Sequence, residues 1–252
     1  MKEWITGRNP VIETLRAGRR QFFRLLLALG GEESSRLNQI RLLASQRRLK
    51  VEQVPRTQID ALGENPQGVA LEVSDYPYGS LEDILGCARS RNEAPFILIL
   101  DMIQNPQNLG TLLRTAEAAG VHGVIIPFRR AAGVTPAVVS ASAGASEHLL
   151  VVQSNLAQAI AELKESDIWI AGLEGSPDAL PYDQVRLDGA LALVVGNEGE
   201  GMRPLVRQSC DYIIRLPMTG KIESLNAAVA GSIVIYEALR VRQQSAHGSR
   251  SK

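Results

Sequence analysis

The stretch Phe96–Ala116, FILILDMIQNPQNLGTLLRTA, contains the arrangement that decides the fold. Its first five residues are all apolar, which is typical of a strand buried on both faces of a parallel sheet. A polar segment follows, and the apolar residues of Leu109–Ala119 then recur at helical spacing. This order predicts an α/β unit whose loop lies at the carboxyl end of a strand, where open α/β sheets bind ligands.

The alternation of strands and helices continues towards the C-terminus. Further strands are predicted at Gly123–Pro127, Asp167–Ala171, Ala190–Val195 and Tyr212–Leu216, and further helices at Ala157–Lys164 and Leu225–Arg240. Because apolar strands alternate with helices, we expect a parallel sheet covered on both faces. The polar residues from 243 to 252 predict a disordered tail.

Residues 1–75 predict a separate, small α/β domain. Helices are expected at Pro10–Leu15 and Glu33–Gln46, and strands at Phe22–Leu29, Val51–Val54 and Val69–Val73. Residues 76–93 carry several prolines and glycines, and we interpret them as a linker with one short helix at Leu81–Ala88. The main α/β domain is therefore expected at residues 94–242.

The composition indicates a folded chain with unevenly distributed charge. Hydrophobic residues make up 45% of the 252 residues, enough to bury a core, which excludes a disordered protein. Equal numbers of basic and acidic residues, 27 each, argue weakly against nucleic-acid binding, since phosphate contacts need Lys and Arg. Residues 1–60, however, contain 12 Lys and Arg against 6 Asp and Glu. This excess fits an RNA-facing module, and it equally fits a solvated helical face.

Cysteine and histidine spacing predicts neither a metal site nor a disulfide framework. Cys87 and Cys210 lie far apart, and the three histidines form no cluster. No apolar stretch is long enough to span a membrane, and the N-terminus lacks the apolar core of a signal peptide. We therefore expect a cytoplasmic protein without a metal.

The first polar loop, Asn105–Asn108, opens the predicted helix, and Gly110 allows close approach of the backbone. Arg114 lies within two turns of this loop, from where a guanidinium can hold a phosphate in bidentate geometry. The alternative is that Asn105 caps the helix and Arg114 is a surface residue.

Two more polar loops follow predicted strands. Val194–Met202, VVGNEGEGM, has neither the GxGxxG pattern nor the lysine of a P-loop, and Glu198 and Glu200 oppose phosphate binding. It better suits a ligand with hydroxyls and an amine, unless it is a plain tight turn. The third loop places Ser224 and Asn226 near a helix start, where Ser224 could simply be an N-cap. Three such loops at the carboxyl edge of one sheet predict a shared ligand site.

These segments resemble, in order and spacing, the motifs of the SpoU (TrmH-type) branch of the SPOUT methyltransferases. The three motifs are NPQNLGTLLRTA (Asn105–Ala116), GNEGEGM (Gly196–Met202) and IRLPMTGKIESLNAAVA (Ile214–Ala230). GRNPVIETL (Gly7–Leu15) and NPQGVAL (Asn65–Leu71) resemble the family's small RNA-binding domain, which is similar to ribosomal proteins L30e and L7Ae. Asn105 and Pro66 depart from the family, which often has Asp and usually has His at these positions.

The resemblance implies an α/β catalytic domain with a deep trefoil knot that holds S-adenosylmethionine, without a metal, in a homodimer. The cofactor positions implied are Leu173, Gly175, Gly196, Asn197, Gly201, Leu216, Pro217, Met218 and Leu225. Arg114 is implied as the catalytic residue, with Asn108, Glu198, Ser224 and Asn226 orienting it and the ribose. Since arginine is effectively always protonated, positioning a phosphate suits Arg114 better than abstracting a proton.

The resemblance is greatest to enzymes that methylate the ribose 2′-hydroxyl of a guanosine in 23S ribosomal RNA. The N-terminal domain favours this branch, because the tRNA enzymes of the family usually lack it. The alternatives are a tRNA guanosine 2′-O-methyltransferase, a resistance-type rRNA adenosine 2′-O-methyltransferase, and a non-enzymatic ribosome-assembly factor. Intact Arg114, Glu198, Ser224 and Asn226 argue against the last.

Overall fold

The computed structural model describes residues 2–30 and 34–248, with side chains of the last helix described as far as residue 245. The elements in these ranges are β1 (Lys2–Thr6), α1 (Arg8–Ala17), β2 (Phe22–Ala28), α2 (Ser35–Gln46), β3 (Lys50–Val54), α3 (Arg56–Asp60), β4 (Val69–Ser74), α4 (Leu81–Arg91), β5 (Phe96–Leu100), α5 (Pro106–Ala118), β6 (Gly123–Pro127), α6 (Pro136–Ala141), β7 (Val151–Ser154), α7 (Leu156–Glu165), β8 (Trp169–Leu173), β9 (Leu180–Pro181), β10 (Leu191–Val195), α8 (Pro204–Gln208), β11 (Tyr212–Arg215) and α9 (Ala227–Gly248). Short 3-10 turns lie at Ala145–His148 and Tyr182–Gln184.

The chain forms two compact units. The first runs to Pro77 and also includes Val134–His148, and the second comprises Tyr78–Gly133 and the chain from Leu149 onwards. The sequence-based division places residues 134–148 in the main domain, whereas in the structure they pack within the first unit.

A mixed four-stranded sheet in the order β1-β4-β2-β3 forms the first unit. The β1–β4 and β4–β2 pairs are antiparallel, and β2–β3 is parallel. Helix α1 packs its apolar face inwards, so that Val11 and Leu15 are fully buried together with Leu25 of β2.

Residues 134–148 are held in the first unit by a buried ion pair. The Nη2 of Arg20 lies 2.8 Å from the Oε1 of Glu147, and both side chains are inaccessible to solvent. The Tyr76 hydroxyl donates to the Ser146 carbonyl at 3.1 Å, and burial raises the pKa of Tyr76 to about 12. Since a buried charge needs its partner, Glu147 is part of the fold of this unit.

The second unit is built on a parallel sheet, as the sequence predicts. Its strand order over the described residues is β7-β6-β5-β10-β8-β11-β9. At the carboxyl edge, Leu100 of β5 pairs with Val195 of β10, which pairs in turn with Leu173 of β8. The loops that follow these strands therefore meet at one edge.

His122 precedes β6 and is buried. The Phe96 amide donates to its Nδ1 at 2.9 Å, so its Nε2 carries the proton, 3.0 Å from a Glu93 carboxylate oxygen. Burial lowers the pKa of His122 from its ordinary value.

Several short elements are absent from the sequence-based prediction: β1, β7, β9, α3, α6 and α8. Conversely, the tail expected from residue 243 is helical as far as Gly248, where α9 ends. The Ser245 hydroxyl donates to Asp188 at 2.8 Å, which anchors this extension. Residue 33, the expected start of the second helix, and residues 249–252 lie outside the described residues.

None of the helices described is long and apolar enough to cross a membrane.

Candidate functional site

A cavity of about 810 Å³ lies in the second unit, above the carboxyl ends of β8, β10 and β11. This volume lies within the range of roughly 300–1,000 Å³ that is usual for small-molecule sites. Its walls come from the loops after these strands and from the start of α9. The lining residues are Leu173–Ser176, Val195–Met202, Pro204, Arg207, Gln208, Leu216, Met218, Glu223–Leu225, Ala227 and Ala230.

The glycine loop, Gly196–Met202, closes on itself. The amides of Asn197 and Gly201 each donate to the other residue's carbonyl, at 3.0 and 3.1 Å. Gly199 and Gly201 have φ of 88° and 67°, in the left-handed region that favours glycine. A methyl group on Gly196 would lie 2.5 Å from the carbonyl carbon of Gly201. The loop is therefore a tight turn that also lines a cavity, and the tight-turn and ligand-loop interpretations are compatible.

A buried carboxylate holds the end of this loop. Asp101, directly after β5, is inaccessible to solvent, and it accepts from the Arg203 backbone amide at 2.8 Å and from its Nε at 2.7 Å. The Asp101 amide in turn donates to the Val195 carbonyl at 2.8 Å. This pair was not predicted from the sequence. The available signal was an acidic residue placed at the end of a wholly apolar strand.

A second arginine fixes the loop after β8. Arg207 of α8 donates to Glu174 at 2.8 Å, to Ser176 at 3.3 Å and to Asp178 at 2.9 Å. The hydrogen bonds that Arg207 donates to Glu174 and Asp178 raise the pKa of Arg207, and hydrogen bonds with Ser176 and Arg207 lower the pKa of Asp178. This network was also missed, because its members come from separate segments.

Three of the expected catalytic side chains form one chain of hydrogen bonds. Asn226 donates to Asn108 at 3.1 Å, and Asn108 donates to Glu198 at 3.4 Å. The Asn226 side chain also accepts from the Ala228 amide at 3.0 Å. Asn226, rather than Ser224, therefore caps α9, while Ser224 and Glu198 both line the cavity.

Arg114 stands apart from this network. It lies six residues after Asn108 on α5, so the two side chains point about 120° apart. It is exposed, does not line the cavity, and has no hydrogen bond or ion pair in the part of the chain that the structure describes. Asn105 does cap α5, accepting from the Gln107 amide at 2.8 Å.

Helices α5 and α9 pack closely beside the site. The hydroxyl oxygens of Thr115 and Ser232 lie 2.9 Å apart, and a methyl group on Gly231 would lie 2.7 Å from a Leu112 methyl carbon. This contact fixes the position of α5 relative to the start of α9.

The cavity suits a cationic ligand with an apolar ring. Four carboxylates line it, and its one lining arginine, Arg207, is occupied by Glu174 and Asp178. Apolar side chains cover other parts of its wall. Among the nine expected cofactor positions, those that line it are Leu173, Gly175, Gly196, Asn197, Gly201, Leu216, Met218 and Leu225, and Pro217 does not. Their contact with a cofactor stays a prediction. Over the described residues, no three His, Cys, Asp or Glu side chains are grouped as metal ligands.

Comparison with known proteins gives consistent matches over both units. Residues 95–236 match the SpoU rRNA Methylase family, and residues 4–79 match the family for RNA 2′-O ribose methyltransferase substrate binding. A protein assigned to the TrmH family of tRNA/rRNA methyltransferases, YacO of Bacillus subtilis, is 42% identical over 245 residues, which cover 95% of this chain and 96% of YacO.

Two solved structures match different shares of this chain. The SpoU methyltransferase AviRb from Streptomyces viridochromogenes, in complex with AdoMet, has a TM-score of 0.79 at 25% identity, covering 96% of this chain and 90% of that one. The A. aeolicus TrmH/SpoU tRNA modifying enzyme has a TM-score of 0.55 at 26% identity, and covers 66% of this chain and 86% of its own.

Proposed function

This chain belongs to the SpoU rRNA methylase family of RNA 2′-O-ribose methyltransferases, and we propose that its target is a guanosine of 23S ribosomal RNA. The observation that carries the proposal is the pairing of a substrate-binding match at residues 4–79 with a methylase match at residues 95–236. A chain of the tRNA-modifying type covers only 66% of this one. The additional domain therefore favours the ribosomal substrate over the tRNA alternative.

The cofactor is S-adenosylmethionine, whose sulfonium supplies an electrophilic methyl group when it is bound. The cavity fits such a molecule, because its carboxylates complement a cation and its leucine side chains can cover an adenine ring. The absence of a side chain at Gly196 lets the glycine loop close tightly on itself at the wall of this cavity. We propose that the loops at Leu173, Gly196 and Leu216 bind the cofactor largely through backbone groups, as part of the family's trefoil knot.

The polar chain from Asn226 through Asn108 to Glu198 is proposed to orient the ribose. The Asn226 side chain donates to Asn108, and the Asn108 side chain donates to Glu198. These two hydrogen bonds fix the direction in which the Glu198 carboxylate points at the rim of the cavity. Placing a hydroxyl oxygen about 3 Å from a methyl carbon accelerates transfer strongly without any further chemistry. Ser224 adds a hydroxyl on the same wall.

Arg114 is proposed to bind the phosphate beside the target ribose and to stabilise charge during transfer. Its exposure suits contact with a large RNA better than contact with a cofactor in the cavity of its own chain. A guanidinium that positions the phosphate does not need to accept the hydroxyl proton.

The proposed assembly is a homodimer through α9. Val229, Ile233 and Tyr236 recur on one face of this helix and are all exposed. Exposed apolar residues at helical spacing indicate an interface. Thr115 contacts α9, so the neighbouring Arg114 would lie next to this interface. Ile233→Glu is expected to give monomers by light scattering, and an unchanged dimer would contradict the proposal.

The substrate is tested by comparing ribosomal and transfer RNA from cells with and without the gene. Loss of one 2′-O-methylguanosine from 23S RNA is the expected result. Loss of a mark from tRNA, or of a 2′-O-methyladenosine from 23S RNA, would favour the corresponding alternative. The ribosome-assembly alternative predicts no lost mark and no S-adenosylmethionine binding in calorimetry. A cytoplasmic location is proposed with this substrate.

A further inference from the structure

The loop that follows β6 carries an exposed aromatic side chain next to two exposed arginines. Phe128, Arg129 and Arg130 come directly after the last residue of β6. The Phe128 side chain is 66% exposed. A single exposed apolar residue is common on protein surfaces. An exposed ring with two adjacent guanidinium groups, however, is the combination that binds single-stranded nucleic acids.

This loop lies at the same edge of the sheet as the candidate site. β5 and β6 are parallel neighbours, with Ile99 paired to Ile125, so their carboxyl ends point the same way. The Ala132 amide donates to the Ile103 carbonyl at 2.9 Å. The loop after β6 is thereby joined to the loop after β5, which leads directly into Asn105 and α5.

The backbone of the loop adopts a defined turn. Arg130 has a φ of 61°, in the left-handed region that a residue with a side chain adopts only where its surroundings hold it. At the other end, a methyl group on Gly133 would lie 3.0 Å from the Tyr78 hydroxyl, so the chain passes close to that ring. The turn therefore presents residues 128–130 outwards from fixed ends.

Positive and negative side chains lie on different loops at the carboxyl edge of the sheet. Arg129 and Arg130 form no salt bridge among the residues that the structure describes, and both are available to a phosphate. The cavity over β10 and β8, by contrast, is lined by carboxylates. A polyanion is attracted to the β6 side of the edge and repelled from the cavity.

We propose that Phe128, Arg129 and Arg130 bind the RNA strand that flanks the target nucleotide. A base next to the target stacks on Phe128, and the two arginines hold the adjoining phosphates. The inference rests on the proposed RNA methylation and adds a contact outside the three sequence motifs. Stacking accepts any base, so the loop contributes affinity and orientation rather than base identity.

The test uses two variants and two matched controls in the full-length chain. The variants are Phe128→Ala and the double replacement Arg129→Ala/Arg130→Ala. The controls are Trp169→Ala, which removes a 60% exposed aromatic ring at the start of β8, and Arg91→Ala/Arg186→Ala, which removes two exposed charges near the starts of β5 and β10. Both controls thus lie at the opposite, amino-terminal edge.

Two probes are used: an unmodified 23S RNA transcript for methyl transfer and a ten-nucleotide oligoadenylate for binding. Phe128→Ala is expected to raise the KM for RNA and to weaken oligoadenylate binding by roughly tenfold. The double variant should reduce the slope of log affinity against log salt concentration by about 1.4, since each phosphate contact on a single strand contributes about 0.7. The affinity for S-adenosylmethionine should not change, and the controls should match wild type.

The outcomes separate this inference from the proposed function. If wild type methylates the transcript and the loop variants match it in KM and salt slope, the inference is wrong and the proposed function stands. Equal losses in the controls would also overturn it, because binding would not then be specific to this edge. If wild type neither binds S-adenosylmethionine nor methylates ribosomal or transfer RNA, the proposed function fails, and the inference fails with it.

Discussion

Replacing Gly196 by alanine is expected to disrupt the glycine loop while leaving the sheet beneath it intact. The added methyl group would lie 2.5 Å from the carbonyl carbon of Gly201 and 2.6 Å from the Met202 amide nitrogen. Ordinary contacts between such atoms are about 3.5 Å. The backbone at Gly201 and Met202 must therefore move by about 1 Å, because backbone atoms cannot rotate away as a side chain can.

The magnitude follows from the bonds that this movement breaks. The two hydrogen bonds between Asn197 and Gly201 contribute about 1 kcal/mol each, and steric crowding in a packed position costs about 1–3 kcal/mol. Because the loop loses both bonds and remains crowded, the free energy of unfolding should fall by roughly 3–5 kcal/mol. For a chain of this size, that lowers the melting temperature by roughly 6–20 °C.

Calorimetry measures both consequences. Gly196→Ala should show the lower melting temperature and an S-adenosylmethionine affinity reduced at least about tenfold, since 1.4 kcal/mol of lost binding is enough. The control is Gly189→Ala, because a methyl group on Gly189 meets nothing within 4 Å and this residue lies outside the cavity. If Gly196→Ala behaved like Gly189→Ala in both measurements, the described geometry of the loop would be wrong.

Three further variants test Arg114, the Asp101–Arg203 pair and His122. Arg114→Ala should lower kcat by roughly a hundredfold or more, as for removal of one charge-stabilising donor, with an unchanged affinity for S-adenosylmethionine; near-normal turnover would exclude the assignment. Asp101→Asn removes the buried charge that holds Arg203. Because the Arg203 guanidinium is partly exposed, the free energy of unfolding measured with denaturant should fall by only about 1–2 kcal/mol. An unchanged free energy of unfolding would show that the pair does not stabilise the fold. His122 is buried and its pKa is lowered in the folded chain. As the pH falls, this histidine therefore binds a proton in the unfolded chain before it does so in the folded chain, and the free energy of unfolding should decrease below about pH 6.5. His122→Asn should weaken this pH dependence, and an unchanged dependence would assign it to other groups.

The sequence predicts the strands of the sheet interior well, for a physical reason. FILIL and GVIIP are buried along their whole length in the structure, and both strands end at the predicted residues. Uniform burial leaves an uninterrupted apolar run that needs no context to recognise. β7 is four residues long and half polar, and β1 precedes any apolar run. Their positions depend on pairing with distant strands.

Long-range contacts set the limit of prediction in both units. The assignment of residues 134–148 to the first unit depends on the Arg20–Glu147 pair, whose members are 127 residues apart. In the second unit, composition and spacing locate the three loops, but the Asp101–Arg203 pair joins two segments that look unrelated in the sequence. The exposure of Arg114 likewise depends on the direction of α5 and not on the motif that contains it.

Methyl transfer to a ribose 2′-hydroxyl can be measured directly on RNA. The purified chain is incubated separately with unmodified transcripts of 23S RNA and of transfer RNA, each with S-adenosylmethionine labelled in its methyl group, and the nucleosides are then analysed by mass spectrometry. We expect label in a 2′-O-methylguanosine of 23S RNA, and we expect Arg114→Ala to abolish it. Label on a base instead of a ribose, or no label in ribosomal or transfer RNA despite bound S-adenosylmethionine, would contradict this expectation.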